Sequence, residues 1–283
     1  MSHPIWRAGR FEVDLTIPRV MGIVNVTPDS FSDGGRHLDL TAALSHCEQL
    51  LAQGADILDI GGESSRPGAQ PVPLDEELRR VLPVLRHAVT LGVPVSIDTY
   101  KPEVMQRALD LGADIINDIY GLRQAGALEA VAAHPACGVC VMHMRGDPGS
   151  MQKQVGEGDP IDEVRTFLTE RVRALIESGV AAQRIVLDPG IGFGKTVEQN
   201  FSLLRRQAEL LELGFPLLIG WSRKSSLGAI SGRSAEDRVV LSVAAALAAV
   251  QLGASIVRVH DVADTVDALK VWRLAGLCKP GGS

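Results

Sequence analysis

The chain has 283 residues, of which 46% are hydrophobic and 22% charged, and its formal net charge is −6. This composition is typical of a globular protein with a large core, and the length suits one α/β barrel of about 250 residues or two smaller domains. The net negative charge argues against a broad nucleic-acid or anionic-membrane surface, so neither is an expected partner. The first residues lack an apolar signal segment and no later run approaches a membrane span, so we expect a cytoplasmic enzyme.

Cysteine usage argues against a disulfide framework, because there are only four cysteines in a chain of this length. Cys137 and Cys140 have CxxC spacing, but they lie in an apolar run that continues to Met142, and no second CxxC accompanies them. Buried strand thiols are therefore favoured here, with redox or metal chemistry as the alternative.

Taken in order, the chain begins with a predicted hairpin over residues 5–17, in which apolar and polar residues alternate around a turn at Gly9. After it, apolar runs bounded by turn residues alternate with stretches whose apolar residues recur at helical spacing. The runs predict eight core strands, at residues 20–26, 57–60, 94–98, 114–118, 138–143, 185–188, 216–220 and 255–260. The spaced stretches predict helices at residues 40–51, 75–91, 102–111, 126–133, 161–176, 200–213, 235–252 and 262–275.

Eight alternating strands and helices with short connections are typical of a parallel sheet with helices on its outside. Eight units favour closure into a (β/α)₈ TIM barrel, here with an N-terminal β-hairpin. An open doubly wound sheet is the alternative. No linker or change in composition marks a second domain, so residues 1–283 are predicted to form one domain.

Polar residues stand at the carboxyl ends of the predicted strands, and in a barrel all these ends face one mouth. Any single member could be a buried polar group with its hydrogen bonds satisfied. A set that recurs from strand to strand indicates an active site instead. The set comprises Asn25, Ser65, Arg66, Asp98, Asn117, His143, Asp188, Lys224, Arg258 and His260.

One part of this set suits a planar heterocycle. Asp98, Asn117 and Asp188 follow the third, fourth and sixth core strands and carry two carboxylates and an amide. A buried carboxylate can accept two parallel N–H bonds from an amino-amidine edge, as it does from a guanidinium group.

The other part suits an anion. Barrels often bind phosphate beyond strands seven and eight, and the basic residues on those strands stand near the amide of the first strand. They favour an anionic leaving group, either alone or with a bound metal ion. The residues concerned are Asn25, Lys224, Arg258 and His260. The residues alone thus predict a heterocycle that carries a phosphorylated arm.

Two other patterns are misleading. GIGFGKT at residues 190–196 resembles a phosphate loop, but the Walker spacing requires glycine where Pro189 stands. Ser225 and Ser226 lack a Gly-x-Ser-x-Gly context, so neither is predicted to be a nucleophile.

The two longest motifs resemble those of a known family. MGIVNVTPDSFSDGG at residues 21–35 resembles the first signature of dihydropteroate synthase, and GGESSRPG at residues 61–68 resembles the second. The similarity continues in order through DTYKP at 98–102, ND at 117–118, DPGIGFGK at 188–195, SRKS at 222–225 and RVH at 258–260. It implies a TIM barrel, usually dimeric, that joins 4-aminobenzoate to 6-hydroxymethyl-7,8-dihydropterin diphosphate. The products would be dihydropteroate and pyrophosphate, on the way to folate.

The resemblance also implies a role for each site residue. The pterin would contact Asp98, Asn117, Asp188, Lys224, Arg258, Met142, Phe193 and Gly220. Mg²⁺ would bind Asn25, and the diphosphate would bind Asn25, Arg66, Arg258 and His260. The aminobenzoate site would be shaped by Phe31, Ser65, Pro67, Lys224 and Ser225. The catalytic residues would be Asp98, Lys224, Asp33 and Arg258, with the two carboxylates favouring a cation-like methylene group.

Two positions depart from the family pattern: Ser65 stands where threonine is more common, and Tyr100 stands where serine is common. A related pterin-binding barrel that transfers a methyl group from methyltetrahydrofolate is the close alternative. It would not need three basic residues around a diphosphate. A non-catalytic barrel that binds pterins or a partner enzyme is the third possibility.

Two further expectations concern assembly and motion. The alanine-rich residues 244–250 predict a homodimer through the last two helices, because small residues let another helix approach closely. The loops at residues 27–36 and 64–71 contain few apolar residues, so we expect them to close over bound pterin diphosphate and complete the aminobenzoate site.

Overall fold

The computed structural model describes residues 5–27, 36–66, 68–147, 156 and 158–277. A hairpin of β1 (Ile5–Ala8) and β2 (Phe11–Asp14) precedes eight parallel strands. These are β3 (Arg19–Asn25), β4 (Ile57–Gly61), β5 (Val95–Asp98), β6 (Ile115–Asp118), β7 (Gly138–Met142), β8 (Ile185–Asp188), β9 (Leu218–Ile219) and β10 (Ile256–Val259). The helices are α1 (Arg36–Ala52), α2 (Leu74–Ala88), α3 (Pro102–Asp110), α4 (Ala127–Ala133), α5 (Ile161–Glu177), α6 (Val197–Arg205), α7 (Gln207–Leu210), α8 (Ser225–Ser231), α9 (Val239–Gln251) and α10 (Val262–Leu274).

The eight parallel strands close on themselves. Their order is β8-β7-β6-β5-β4-β3-β10-β9. Leu187 of β8 bridges to Leu217, directly before β9, and the Leu187 N–H donates to the Pro216 carbonyl at 3.0 Å. The predicted TIM barrel with an N-terminal hairpin is therefore confirmed, and the open-sheet alternative is wrong.

Strand residues alternate between two apolar environments, because successive side chains of a strand point to opposite faces. The outward set, such as Val24, Ile97 and Leu187, packs with the helices in the main core. The inward set fills the lower barrel and consists of Met21, Ile57, Ile115, Cys140, Val186, Leu218 and Ile256. The next inward position on each strand lies two residues further on, so polar side chains at those positions face the mouth.

The hairpin closes the end of the barrel opposite the mouth. Trp6 is fully buried against the inward apolar layer, and its indole N–H donates to the Arg184 carbonyl at 2.8 Å. The Arg10 guanidinium bonds to the buried Asp114 carboxylate, which also accepts the Val95 N–H at 3.1 Å. The hairpin is thus joined to the barrel by both apolar packing and a buried carboxylate.

Two helical segments differ from the prediction. The helix expected at residues 200–213 begins at Val197 with a capping box between Thr196 and Gln199, then breaks into α6 and α7. Helix α8, which follows Lys224, was not predicted, because the short run SSLGAIS lacks a helical repeat of apolar residues.

Cys137 and Cys140 are buried and free, as the strand interpretation predicts, and the Cys137 sulfur lies 3.1 Å from Arg184 Nη2. The described residues contain no group of three or more His, Cys, Asp or Glu side chains that could hold a metal ion. Within the same ranges, none of the helices is both long and apolar enough to cross a membrane.

The hairpin generates a prediction about stability. Trp6→Ala removes a fully buried indole and its hydrogen bond, so the free energy of unfolding should fall by about 3–5 kcal/mol. Urea denaturation measures this loss. The neighbouring Ile5→Ala is the control, since Ile5 is 36% exposed and the loss there should be smaller. A loss below about 1 kcal/mol for Trp6→Ala would contradict a packed hairpin.

Candidate functional site

A cavity of about 670 Å³ opens at the carboxyl ends of the barrel strands. The predicted site residues that line it are Asn25, Ser65, Arg66, Asp98, Asn117, Met142, Asp188, Phe193, Gly220, Lys224, Ser225, Arg258 and His260. Strand register explains this arrangement, since Asp98 pairs with Asn117 across β5 and β6, and Met142 pairs with Asp188 across β7 and β8. Three predicted residues, Phe31, Asp33 and Pro67, lie outside the described residues.

A buried guanidinium group lies at the floor of the cavity. Arg258 Nε donates to Asp59 Oδ2 at 2.6 Å, and Arg258 Nη2 donates to Asp98 Oδ2 at 2.7 Å. Asn117 Nδ2 lies 3.4 Å from Asp59 Oδ2. Arg258, on β10, thus reaches past β3 to carboxylates on β4 and β5.

Sequence reasoning missed Asp59. This carboxylate stands inside the apolar strand ILDIG rather than at its end, and it is fully buried. A signal was present, because Asp59 is two residues beyond the inward-facing Ile57 and must share its face. An acidic residue at an inward position of a buried strand requires a partner, and here the partner is Arg258.

Burial disfavours the charged form of both predicted heterocycle-binding carboxylates. It raises the pKa of Asp98 to about 7, against the opposing effect of Arg258. Burial also raises the pKa of Asp188, although the Gly190 N–H, which donates to Asp188 Oδ1 at 2.7 Å, acts in the opposite direction. Near neutral pH, such carboxyls can accept a proton or share one with a bound ligand.

Lys224 lines the cavity beside Phe193. Its ammonium group is 4.1 Å from the centroid of the Phe193 ring. Burial lowers the pKa of Lys224 to about 8, helped by Arg258 and opposed by Asp188. Gly192 has a φ of +85°, and a Cβ there would approach Lys224 Cδ to 3.1 Å, so glycine is required for this close contact.

His260 was predicted as one of three potential cations, but the structure indicates a neutral imidazole. Burial lowers its pKa to about 3, and the neighbouring cation of Arg258 adds to the effect. The Ser222 hydroxyl oxygen accepts the His260 backbone N–H at 3.1 Å and lies 3.0 Å from Nδ1. We assign the Ser222 hydroxyl as the donor and Nδ1 as the acceptor of this hydrogen bond. The ring proton of the neutral imidazole is then on Nε2, which can donate to a ligand.

The loop after β9 is held by polar contacts that sequence reasoning did not single out. Arg223 has a φ of 58°, a left-handed conformation that non-glycine residues rarely adopt. Its side chain pairs with Asp261 at 2.5 Å, its N–H donates to Ser242 Oγ at 2.9 Å, and its carbonyl accepts from Arg238 at 3.0 Å. These contacts place Lys224, the next residue, at the cavity.

The loop after β4, which carries Ser65 and Arg66, is also held by a cation. Lys101 bonds to both Glu63 and the buried Glu77. The Tyr100 hydroxyl donates to Glu63 at 2.8 Å, so the residue that departs from the family pattern supports this loop.

Some expected residues do not reach the cavity. His143 was placed with the strand-end set, but it is buried beside Phe167, and its Nδ1 lies 3.0 Å from Lys195 Nζ. Lys195 also points into the protein, which confirms that residues 190–196 are not a phosphate loop. Ser226 is buried and accepts from Asn200 at 2.9 Å, as expected for a hydroxyl that is not a nucleophile.

Comparison with known proteins identifies the family of the chain. Residues 21–260 match the family described as pterin binding enzyme. The dihydropteroate synthase of Neisseria meningitidis serogroup B is 52% identical, over 98% of this chain and 99% of that protein. The chain belongs to the dihydropteroate synthase family.

Solved structures of dihydropteroate synthases agree with this assignment. That of Xanthomonas albilineans with 4-aminobenzoic acid matches with a TM-score of 0.91 and 50% identity, over 97% of this chain and 99% of that one. That of Burkholderia cenocepacia, complexed with 7,8-dihydropteroate, gives a TM-score of 0.88 and 50% identity, over 98% of each chain.

Dihydropteroate synthases are transferases of folate biosynthesis, and this chain is such an enzyme. The methyl-transfer barrel and the non-catalytic binder are therefore not supported. Several of the motifs that suggested the family contribute residues to the cavity, notably SRKS through Lys224 and RVH through Arg258.

The buried ion pairs at the floor lead to a testable expectation. Asp59→Asn removes one of the two carboxylates of Arg258 in a fully buried position. The free energy of unfolding should fall by about 3 kcal/mol, because the loss of one partner leaves a buried charge less compensated. Chemical denaturation measures the change.

Asp267→Asn is the matched control, since Asp267 pairs with Lys270 on the surface with 74% of its side chain exposed. Its effect should stay below about 1 kcal/mol. Equal effects of the two substitutions would contradict the central role given to Asp59.

Proposed function

We propose that this dihydropteroate synthase site divides into a pterin half and a diphosphate half, with Arg258 between them. The enzyme joins 4-aminobenzoate to 6-hydroxymethyl-7,8-dihydropterin diphosphate and releases pyrophosphate. The observation that carries the division is the pairing of Arg258 with Asp59 and Asp98 at 2.6 and 2.7 Å, directly under the cavity. This pairing supports the proposal, because Arg258, the proposed cation for the leaving group, contacts Asp98, a proposed acceptor for the ring.

The pterin half consists of Asp98, Asn117 and Asp188. Their carboxyl and amide groups would pair with the amino-pyrimidine edge of the ring, and Met142 and Phe193 would cover its faces. Because burial raises the pKa of Asp98 and Asp188, a ligand edge that donates two N–H groups stabilises their charged forms. A ring with several N–H donors would therefore offset the cost of keeping these buried carboxylates charged.

The diphosphate half consists of Asn25, Arg66, Arg258 and His260. Arg66 and Arg258 would carry positive charge to the phosphate oxygens, and His260 would donate from Nε2 without adding charge. Gly220 leaves space beside them, because a Cβ built there meets no atom within 4 Å.

Mg²⁺ fits this half through the amide oxygen of Asn25. Mg²⁺ favours oxygen ligands and commonly keeps several waters and substrate phosphates around one or two protein groups. The absence of a carboxylate cluster among the described residues agrees with a site completed by the diphosphate. When bound, the ion would neutralise charge that develops on the leaving group.

The aminobenzoate would lie at the outer rim. Ser65 and Ser225 offer hydroxyl groups there, and Lys224 offers a cation to the carboxylate of this substrate. The proposed apolar cover, Phe31 and Pro67, lies outside the described residues.

The reaction breaks the C–O bond between the pterin methylene and the diphosphate. The methylene carbon gains cationic character, which the Asp98 carboxylate favours and Asp33 is proposed to favour as well. The neutral arylamine attacks this carbon and then loses a proton, while pyrophosphate leaves through the basic half. The electron pair of the broken bond stays on the departing oxygen, and no covalent bond to the protein is required.

We also propose a homodimer through α9 and α10, which pack beside each other. Helix α9 has no charged residue, and the two helices expose large apolar side chains to solvent. Val240 is 71% exposed, Val271 68% and Leu274 84%. Such an apolar surface favours coverage by a second copy of the chain, away from the mouth.

Pyrophosphate release tests the proposed function directly. Release should require both substrates and should fall when Mg²⁺ is chelated. Asp188→Asn should keep the fold but weaken pterin diphosphate binding by about 2–5 kcal/mol, because one partner of a buried charged contact is lost. Calorimetry measures this affinity, and Asp110→Asn, at an exposed position, is the control. An unchanged affinity in folded Asp188→Asn would refute the pterin assignment.

Sedimentation tests the dimer. The native chain should sediment as a dimer at micromolar concentration. Leu274→Glu combined with Val271→Glu should give a monomer, because two charges would be buried without partners. Ile176→Glu on α5, where the side chain is 44% exposed, should leave the dimer intact. A native chain that sediments only as a monomer would exclude this assembly.

A further inference from the structure

Lys195 belongs to the motif that resembles a phosphate loop, but its ammonium group contacts atoms inside the protein. Its side chain is buried, with only 3% of the residue exposed. The ammonium group lies 2.9 Å from the Gly190 carbonyl, 3.1 Å from the Phe193 carbonyl and 3.0 Å from His143 Nδ1. A lysine ammonium has three donor hydrogens, so these three acceptors can use all of them, and the His143 carbonyl lies further away at 3.5 Å.

Burying a lysine side chain in these surroundings has an energetic cost. Burial lowers the pKa of Lys195 to about 7. Its hydrogen-bond partners are carbonyl oxygens and an imidazole rather than a carboxylate. His143 connects Lys195 to a second group of charges. Its Nε2 lies 3.3 Å from Glu163 Oε1, and Glu163 is also paired with Arg145. A buried cation held mainly by carbonyls indicates that those carbonyls must be fixed.

The carbonyls belong to the loop of residues 189–194, which follows β8. The Gly190 N–H donates to Asp188 Oδ1 at 2.7 Å and thereby orients that carboxylate. Phe193 lies under the Lys224 ammonium at 4.1 Å. The two peptide units that Lys195 binds are therefore those next to the pterin-facing carboxylate and the pterin-facing ring.

The loop packs closely against the residues that follow β7 and leaves no space for added side-chain atoms. A Cβ at Gly190 would lie 1.8 Å from the His143 carbonyl oxygen, and one at Gly194 would lie 2.6 Å from Arg145 Cβ. The loop is also anchored from the helix side, where Asn200 accepts the Gly192 N–H at 2.8 Å. Lys195, directly after the loop, supplies a second anchor through the Gly190 and Phe193 carbonyls.

We propose that Lys195 is a positioning residue, which fixes the loop of residues 189–194 so that Asp188 and Phe193 meet the pterin ring together. Lys195 is not among the residues that line the cavity, so its effect on a ligand would pass through the loop. This role rests on the proposed function only for the identity of the ligand. The anchoring of the loop is a property of the chain without substrate.

Hydrogen exchange of the substrate-free protein tests the anchoring separately from the function. Lys195→Met should speed amide exchange in residues 189–194, because two loop carbonyls lose their donor. Gln207→Met is the matched control. Gln207 is also buried and also donates to two carbonyls, but these belong to Ala249 and Leu252, outside the loop of residues 189–194. Unchanged exchange in the loop of folded Lys195→Met would overturn the proposal whatever the enzyme binds.

Binding tests the consequence. Lys195→Met should weaken pterin diphosphate binding at least about tenfold in calorimetry, because small misplacements of positioned groups cost this much. The KM for 4-aminobenzoate at saturating pterin diphosphate should change less than the pterin diphosphate affinity does, because Ser65 and Ser225 of that site belong to other loops, although Lys224 contacts Phe193. Equal losses for both substrates would indicate a merely structural role. Failure of the native chain to bind pterin diphosphate would contradict the proposed function instead.

A double-mutant cycle decides whether Lys195 acts through Phe193. Phe193→Ala should weaken pterin diphosphate binding more in the native chain than in Lys195→Met, since the second background has already lost the ring position. Additive effects would overturn the mechanism. If Lys195→Met does not fold, His143→Phe removes one acceptor while keeping a ring beside Phe167, and it should shift the same measurements in the same direction.

Discussion

The site depends on a guanidinium group held between two carboxylates. Arg258 reaches Asp59 and Asp98 from a strand separated from theirs by β3, so these contacts fix the width of the mouth as well as its charge. A buried ion pair is weak support for stability, because the free energy lost by desolvation rivals the Coulombic gain. The arrangement is better explained by chemistry. In the proposed reaction, Asp98 would stabilise a developing cation in its ionised form, and the positive charge of Arg258 favours that form.

Burial shifts the titrating groups of the mouth towards their neutral forms, and the shifts have opposite consequences for stability. The pKa of Asp98 is raised to about 7, so between about pH 4 and 7 the unfolded chain loses this proton first and stability falls as pH rises. The pKa of His260 is lowered to about 3, so between about pH 3 and 6.5 the unfolded chain holds the extra proton and stability rises with pH. The two effects oppose each other over the acidic range. A bound diphosphate would favour the protonated form of Lys224, whose pKa burial lowers to about 8.

The barrel was predictable from the sequence because its strands are apolar on both faces and its helices keep a clear period. Strand ends were predictable for the same reason, which is why Asp98, Asn117 and Asp188 were placed correctly. Asp59 was missed because an interior position carries no loop signal, and only the inward alternation reveals it. Helix α8 was missed because seven residues of serine, glycine and small apolar side chains hold too little periodicity. The direction in which His143 and Lys195 point depends on loop conformation, which spacing along the chain does not determine.

The two ends of the barrel are held by different forces, and the difference explains where function can reside. At the closed end, Trp6 and the inward strand residues exclude water mainly by apolar packing, and one ion pair, Arg10 with Asp114, joins the hairpin to the barrel. At the mouth, each of four loops or strand ends is held by a partly or fully buried cation. The cations are Arg258 with Asp59 and Asp98, Lys101 with Glu63 and Glu77, Arg223 with Asp261, and Lys195 with the Gly190 and Phe193 carbonyls. Hydrogen bonds to cations are directional, so they fix the orientation of backbone and carboxylate groups more narrowly than apolar contacts do. The closed end therefore supplies stability, and the mouth gives up part of it for the geometry that the reaction requires.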